Sequence, residues 1–199
     1  MNNFLLNNHH NKFINNRNYD INICKDCTKS KKEFIEIITD NKPCDIINLG
    51  FIGIKCNMAP IIITTPIMVC PFGFNSKTQA LTLQFTNVKS DPEMNSFYNF
   101  IQELELEQMH FIGLNEENAD LYLTQIRNDK EGKYDPNLLI KVPFKNNSYE
   151  VDIKHKDSSI SIKNIYKFSR LKCDIYIDRI WKFNDKYVCK WKVKKILVL

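Results

Sequence analysis

The sequence predicts a mainly β fold, and three features carry that expectation. Between Asp45 and Asn87 lie runs rich in Ile, Val and Thr, punctuated by Gly50, Gly53, Pro60, Pro66, Pro71 and Gly73. Ala80 to Thr86, ALTLQFT, alternates cleanly, with Leu81, Leu83 and Phe85 on one face and Thr82, Gln84 and Thr86 on the other. Leu171 to Leu199 forms two alternating halves around Asn184-Asp185, the pattern of a long hairpin with a two-residue turn.

A length of 199 residues fits one ordinary domain plus extensions. The net charge of +5 is too mild to name a partner, but its distribution is uneven. Residues 1–90 carry 10 basic and 6 acidic side chains, residues 91–135 carry 3 and 11, and residues 136–199 carry 15 and 6. That separation predicts opposed charged surfaces, the basic one built by the last third. Seven cysteines without a secretory signal predict free thiols in a reducing compartment, so secretion is not expected. The uncharged run from Cys56 to Ser76 is broken by Pro60, Pro66 and Pro71 and reads as buried strands, not as a membrane span.

Taken in order, residues 1–22 are asparagine-rich and predict a disordered arm. Residues 23–44 predict a short helical extension, where Ser30-Lys31-Lys32-Glu33 has capping-box spacing ahead of Phe34, Ile37 and Ile38. The main domain spans residues 45–199. Strands are expected at Ile46 to Lys55, Ile61 to Thr65, Ile67 to Cys70 and Gln79 to Thr86, with Pro71-Phe72-Gly73 and Asn75-Ser76-Lys77 as a hairpin connection. Asp91-Pro92-Glu93 opens a helix, because Asp91 can cap it and Pro92 lacks only an N–H that the first turn leaves free. Phe97, Phe100, Ile101, Leu104 and Met109 supply its buried stripe, and Glu103, Glu105 and Glu107 its wet face. A second short helix is expected from Asn115 through Ile126, ended by Asp129 to Gly132. Together these make an acidic helical insert over residues 91–135. Strands are then expected at Leu138 to Val142, Tyr149 to Lys154 and Ser159 to Ile162.

With Asn184 and Asp185 as the turn, Phe183 faces Lys186 and the hairpin acquires two unlike faces. One carries Tyr176, Ile180, Tyr187, Cys189, Trp191 and Val193, with only Asp178 and Lys182 polar, and suits a core. The other interleaves Trp181 and Phe183 with Arg179, Lys186, Lys190, Lys192 and Lys194. Rings stack on unpaired bases and cations follow the phosphate backbone, which is the chemistry of single-strand binding. The same lysines would also serve merely to keep an edge strand soluble.

Little else asks for chemistry. No phosphate loop, dinucleotide fingerprint, HExxH or nucleophile elbow occurs, and His110 and His155 stand alone, so no enzyme is expected. Cys24-Lys25-Asp26-Cys27 is followed next by the widely spaced Cys44 and Cys56, with His9 and His10 upstream. Structural zinc favours two close doublets, so no metal or other cofactor is expected.

The segment TTPIMVCPFGF at Thr64 to Phe74, the ALTLQF strand, the acidic helical insert, and the closing patterns Ile180-Trp181-Lys182-Phe183 and Cys189-Lys190-Trp191-Lys192-Val193 belong together. They resemble the phage-type single-stranded DNA-binding proteins of nucleocytoplasmic large DNA viruses over about Asp45 to Leu199. The resemblance implies an OB-like five-stranded barrel elaborated by helices. It also implies sequence-independent binding of single-stranded DNA in replication, repair or recombination, within the cytoplasmic viral factory or nucleus of an infected cell. Stacking is expected from Trp181 and Phe183, with Tyr166 and Phe168 as further candidates. Phosphate contacts are expected from Arg179, Lys186, Lys190, Lys192, Lys194, Lys163, Lys167 and Arg170. Members often end in an acidic tail that recruits partners, whereas this chain closes on Lys194-Lys195-Ile196-Leu197-Val198-Leu199. Recruitment of viral replication proteins is therefore expected to be missing or to have moved to the acidic insert. The sequence does not separate DNA from RNA as the strand, and leaves open a viral structural or assembly protein whose β-domain docks another protein, or a small zinc-stabilised regulator.

Overall fold

The computed structural model describes residues 62–199 apart from 157, and the backbone of residues 51–53; residues 107, 111, 178 and 183 are described by backbone alone. The expected arm, the helical extension with its CxxC, Cys44, Cys56 and most of the first expected strand lie outside the described residues.

The chain forms β1 (Phe51–Gly53), β2 (Ile62–Thr64), β3 (Met68–Cys70), β4 (Ala80–Gln84), helix α1 (Pro92–Phe111), β5 (Tyr122–Leu123), β6 (Ile126–Arg127) and β7 (Asn137–Lys141). It continues with β8 (Phe144–Lys145), β9 (Ser148–Tyr149), β10 (Asp152–His155), β11 (Ser158–Ser159), β12 (Ser169–Phe183) and β13 (Lys186–Val198). β3, β4, β7, β13 and β12 hydrogen-bond in that circuit, and the β12–β13 pairing closes it into a five-stranded barrel. Counted in chain order the circuit runs first, second, third, fifth, fourth and back to first. The third and fifth strands are parallel, Lys141 beside Lys192, and the other neighbours are antiparallel. This is the expected OB-like barrel.

Pro66 sits between β2 and β3, both of which pair with β12. A proline there removes a donor from the ladder. Thr65 carries the pairing across the gap: its N–H donates to the Cys173 carbonyl at 2.8 Å, and its hydroxyl oxygen accepts from the Cys173 N–H at 3.0 Å. The first barrel strand thus bends at Pro66 without leaving its partner.

Inside the barrel lie Leu81, Leu83, Phe85, Leu138, Ile140, Leu171, Cys173, Ile175, Trp191, Val193 and Ile196, all buried. Helix α1 adds Met94, Phe97, Phe100, Ile101 and Leu104, with Phe97 and Phe85 ring centroids 5.9 Å apart. Its start obeys the expected logic, since the Asp91 carboxylate accepts from the N–H groups of Glu93 and Met94 at 2.9 and 3.1 Å and Pro92 occupies the first turn.

Several expectations need correction. The helix expected from Asn115 through Ile126 is a 3-10 turn at Glu116–Leu121 followed by β5 and β6, so the insert supplies one α-helix and not two. Residues 122–126 fold over α1 and bury Glu105, which is therefore not on a wet face. Its carboxylate accepts from the Gln125 N–H at 2.9 Å and from the Thr124 hydroxyl, and burial still holds its pKa above the usual carboxylate range. Beside it the Tyr122 hydroxyl donates to Gln108 Oε1 at 2.6 Å. The strand expected at Tyr149 to Lys154 divides between β9 and β10, and that at Ser159 to Ile162 becomes β11 and a 3-10 turn at Ile162–Asn164.

The hairpin turn falls at Asn184 and Asp185, both in the left-handed region (φ 46° and 59°), and Phe183 pairs with Lys186 as read from the sequence. Two bulges then intervene. Asp178 is an extra residue on β12, between the Ile177–Trp191 and Arg179–Lys190 pairs, and Lys194 is an extra residue on β13. Each bulge reverses the facing of the residues beyond it. Tyr176, expected in the core, consequently points outward opposite Lys192, and Ile175 and Ile177 take the inward positions. Tyr187, also expected in the core, is half-buried and packs against the core from its edge, with the Lys182 ammonium 5.6 Å from its ring centroid.

Trp191 is fully buried on the inward face of β13, inside the barrel. Trp191→Ala is expected to cost about 3–5 kcal/mol by opening a large cavity, read as a fall in the denaturant midpoint. A cost below about 1 kcal/mol would mean that the barrel is not packed around this ring.

Candidate nucleic-acid interface

The outward face of the hairpin is rich in cations, with Asp174 opposite Lys195 as an acid among them. From the tip, Lys186 faces Phe183, Trp181 faces Val188, Arg179 faces Lys190, and Tyr176 faces Lys192, with Lys194 and Lys195 exposed at the second bulge. The side chain of Phe183 lies outside the described residues. Trp181 is half-buried and engaged by two cations, the Arg179 guanidinium carbon 5.2 Å and the Lys190 ammonium 4.9 Å from its ring centroid. The ring that the sequence pattern makes a stacking surface thus also carries two cations against it.

A third strand extends the cationic face. Lys141 on β7 pairs with Lys192 on β13, and its ammonium donates to the Thr78 carbonyl at 2.9 Å. Burial first, then the nearby charges of Lys190 and Arg127, hold its pKa below the usual lysine value. Like charges gathered on a half-buried surface raise one another's energy, and an anion laid across them relieves it. Sequence reasoning missed Lys141 and Arg127. The signal for Lys141 was present, since it holds an outward position in the alternating strand LLIKV.

A second group sits at the other end of β12. The corner Pro71-Phe72-Gly73 lies backbone to backbone against residues 165–168, with the Phe74 N–H on the Ile165 carbonyl at 3.1 Å and the Phe168 N–H on the Cys70 carbonyl at 2.8 Å. Gly73 has φ +69°, and a Cβ there would stand 2.8 Å from the Ile165 carbonyl oxygen and 2.9 Å from the Tyr166 carbonyl carbon. No other residue fits so close an approach. With the backbones locked, three rings project into solvent: Phe72 is 66% exposed, Tyr166 68% and Phe168 72%. Phe168 is itself held at φ +63°, a strained conformation for a bulky residue that persists only where the surroundings impose it. Lys163, Lys167 and Arg170 are exposed around the same corner, Arg170 pairing with Val69 of β3.

The twelve expected site residues therefore fall into two groups. Arg179, Trp181, Phe183, Lys186, Lys190, Lys192 and Lys194 run along the hairpin, while Lys163, Tyr166, Lys167, Phe168 and Arg170 surround the corner. Phe72 completes the corner and was missed, because the sequence marks PFG as a turn but not which way its ring points. In OB-type barrels oligonucleotides lie on the face of the second and third strands, between the loop that joins the first two strands and the loop that joins the last two. Here those parts are outward Thr82, Gln84, Asn137, Leu139 and Lys141, the loop bearing Phe72, and the tip bearing Lys186.

Cys70, Cys173 and Cys189 are buried free thiols whose pKa values burial pushes up, and among the described residues no group of three or more His, Cys, Asp or Glu could hold an ion.

Gly73→Ala is expected to lower the thermal midpoint, since left-handed backbone alone costs an alanine about 1–2 kcal/mol and the carbonyl overlap adds to it. Gly132, at φ +66° with nothing near its missing Cβ, is the control, and Gly132→Ala should cost clearly less. Equal costs would show that the corner is not locked.

No protein-family model matches the chain, and no curated protein matches it. Among solved structures it is similar to the single-stranded DNA-binding protein from bacteriophage Enc34, with a TM-score of 0.49 at 12% identity over 74% of this chain and 88% of that one. The same phage protein in complex with single-stranded DNA gives 0.45 at 9% identity, covering 75% and 90%. The single-stranded DNA-binding protein gp2.5 encoded by bacteriophage T7 gives 0.44 at 13% identity, covering 69% and 91%.

Proposed function

We propose that this protein binds single-stranded DNA without catalysis, along the outward face of its barrel. The observation that carries the reading is the pairing of three solvent-facing rings on a locked corner with a row of cations that leads from it along the hairpin. Phe72, Tyr166 and Phe168 stack on bases, which needs no sequence preference because every base has a π-face. Lys141, Arg179, Lys190 and Lys192 neutralise the phosphates, with Trp181 fixing two of those cations. The work belongs to replication, repair or recombination of a large DNA virus, as the motif resemblance implies. The acidic surface of α1 and the 3-10 turn is the place where viral replication proteins would dock.

Titration with a labelled single-stranded oligonucleotide tests this. Binding should be present at low salt and fall steeply as salt rises, because condensed counterions must be displaced. Two variants separate the parts. Lys190→Ala should reduce the slope of log affinity against log salt by about 0.7 for each phosphate that it leaves without a cation. Phe72→Ala should weaken binding by about 1–3 kcal/mol with the slope unchanged. No binding at low salt would refute the reading, and a salt-insensitive complex with another protein would favour a docking role for the domain.

A further inference from the structure

β8 and β9 form a hairpin whose hydrogen bonds are its own: Phe144 pairs with Tyr149 and Lys145 with Ser148, and the two strands make a separate sheet beside the barrel. Its tip residues Asn146 and Asn147 have φ 50° and 60°, as a tight two-residue turn requires. A lone two-stranded hairpin is marginal in water and must lean on something. This one leans through a ladder of rings. Tyr149 meets Phe74 edge-on, centroids 5.1 Å apart at 87°, and meets Phe144 at 4.8 Å.

Phe74 belongs to the same loop as Phe72, one residue past the locked Gly73. The ladder therefore begins at the corner that displays the three exposed rings and ends on Phe144, which is 42% exposed. Lys145, Asn146 and Asn147 beside it are exposed as well. Tyr149 is tied to the core and explains why the hairpin stays put, but Phe144 at the outer end contributes little to that core. A ring, a cation and two amides set out beyond the barrel, continuous with the corner, match what the next nucleotides of a bound strand would meet.

We propose that the β8–β9 hairpin is an outrigger of the nucleic-acid track, on which a base of the strand leaving the corner stacks against Phe144 while Lys145 meets its phosphate. This rests on the single-strand reading and adds a subsite to it.

The test compares oligothymidines of about 4 and about 16 nucleotides, the span of site sizes known for such barrels, on the full chain. The wild type should bind the longer one more tightly. Phe144→Ala should leave the thermal midpoint and the affinity for the short oligonucleotide unchanged, and weaken binding of the long one about 5- to 150-fold. Phe144→Leu keeps an apolar cap on Tyr149 without a π-face and should weaken it as much, whereas Phe144→Trp should retain wild-type affinity. If the wild type binds but both ring-removing variants match it on the long oligonucleotide, the outrigger is wrong and the barrel site stands. Equal weakening on both lengths would place Phe144 inside the main track and likewise overturn the outrigger. Failure of the wild type to bind either oligonucleotide would refute the single-strand reading itself.

Discussion

The pairing of β12 with β13 is the interaction on which the rest of the structure depends. β1, β2 and β3 are hydrogen-bonded to β12, and β5, β7 and β10 to β13, so the two strands are the spine that joins every part of the sheet. Their mutual pairing turns an open ribbon into a closed barrel and removes its two longest unpaired edges. The pairings that tie β1, β2 and β3 to β12 are far apart in sequence: β3 at Met68–Cys70 meets Ser169–Leu171. Closing loops of that length before the hairpin exists would cost entropy with little return, so the barrel is expected to assemble onto the hairpin.

The same pairing decides what the surface can do. Because side chains alternate, the register that buries Trp191, Val193 and Ile175 also sends Lys192, Lys190 and Arg179 outward. The bulges at Asp178 and Lys194 keep the inward set apolar as the strands coil. The bulge at Asp178 brings Tyr176 into the outward row beside Lys192. Core and binding face are therefore two sides of one register, and a shift of one residue would lose both.

Much of this was legible in the sequence. The two-residue turn could be read because Asn184-Asp185 tolerates left-handed backbone and both flanks alternate, and the helix start because Asp91-Pro92 satisfies the rules for a helix N-terminus. The bulges could not be read, since an extra residue leaves no local mark and only the partner strand reveals it. Tyr176 was misplaced for that reason. Glu105 looked solvent-facing on helical periodicity, and only a distant segment with donors at Thr124 and Gln125 makes its burial tolerable. The β8–β9 turn offered a signal in Asn146-Asn147, but its strands are too short for periodicity to register. At the corner, Gly73 was visible as a breaker; that its missing side chain lets residues 165–168 approach, and so pushes Phe72 outward, depends on an approach across the fold.

The corner, the outward barrel strands and the hairpin are proposed to form one continuous site for a single strand. Backbone amide chemical-shift mapping on adding a single-stranded oligonucleotide at low salt tests this most directly. Shifts are expected to concentrate at residues 72–79, 166–170 and 179–192 and on the outward positions of β4 and β7, with the solvent face of α1 unchanged. Shifts confined to α1 and the 3-10 turn at Glu116–Leu121, or to one end of the hairpin alone, would contradict a continuous site.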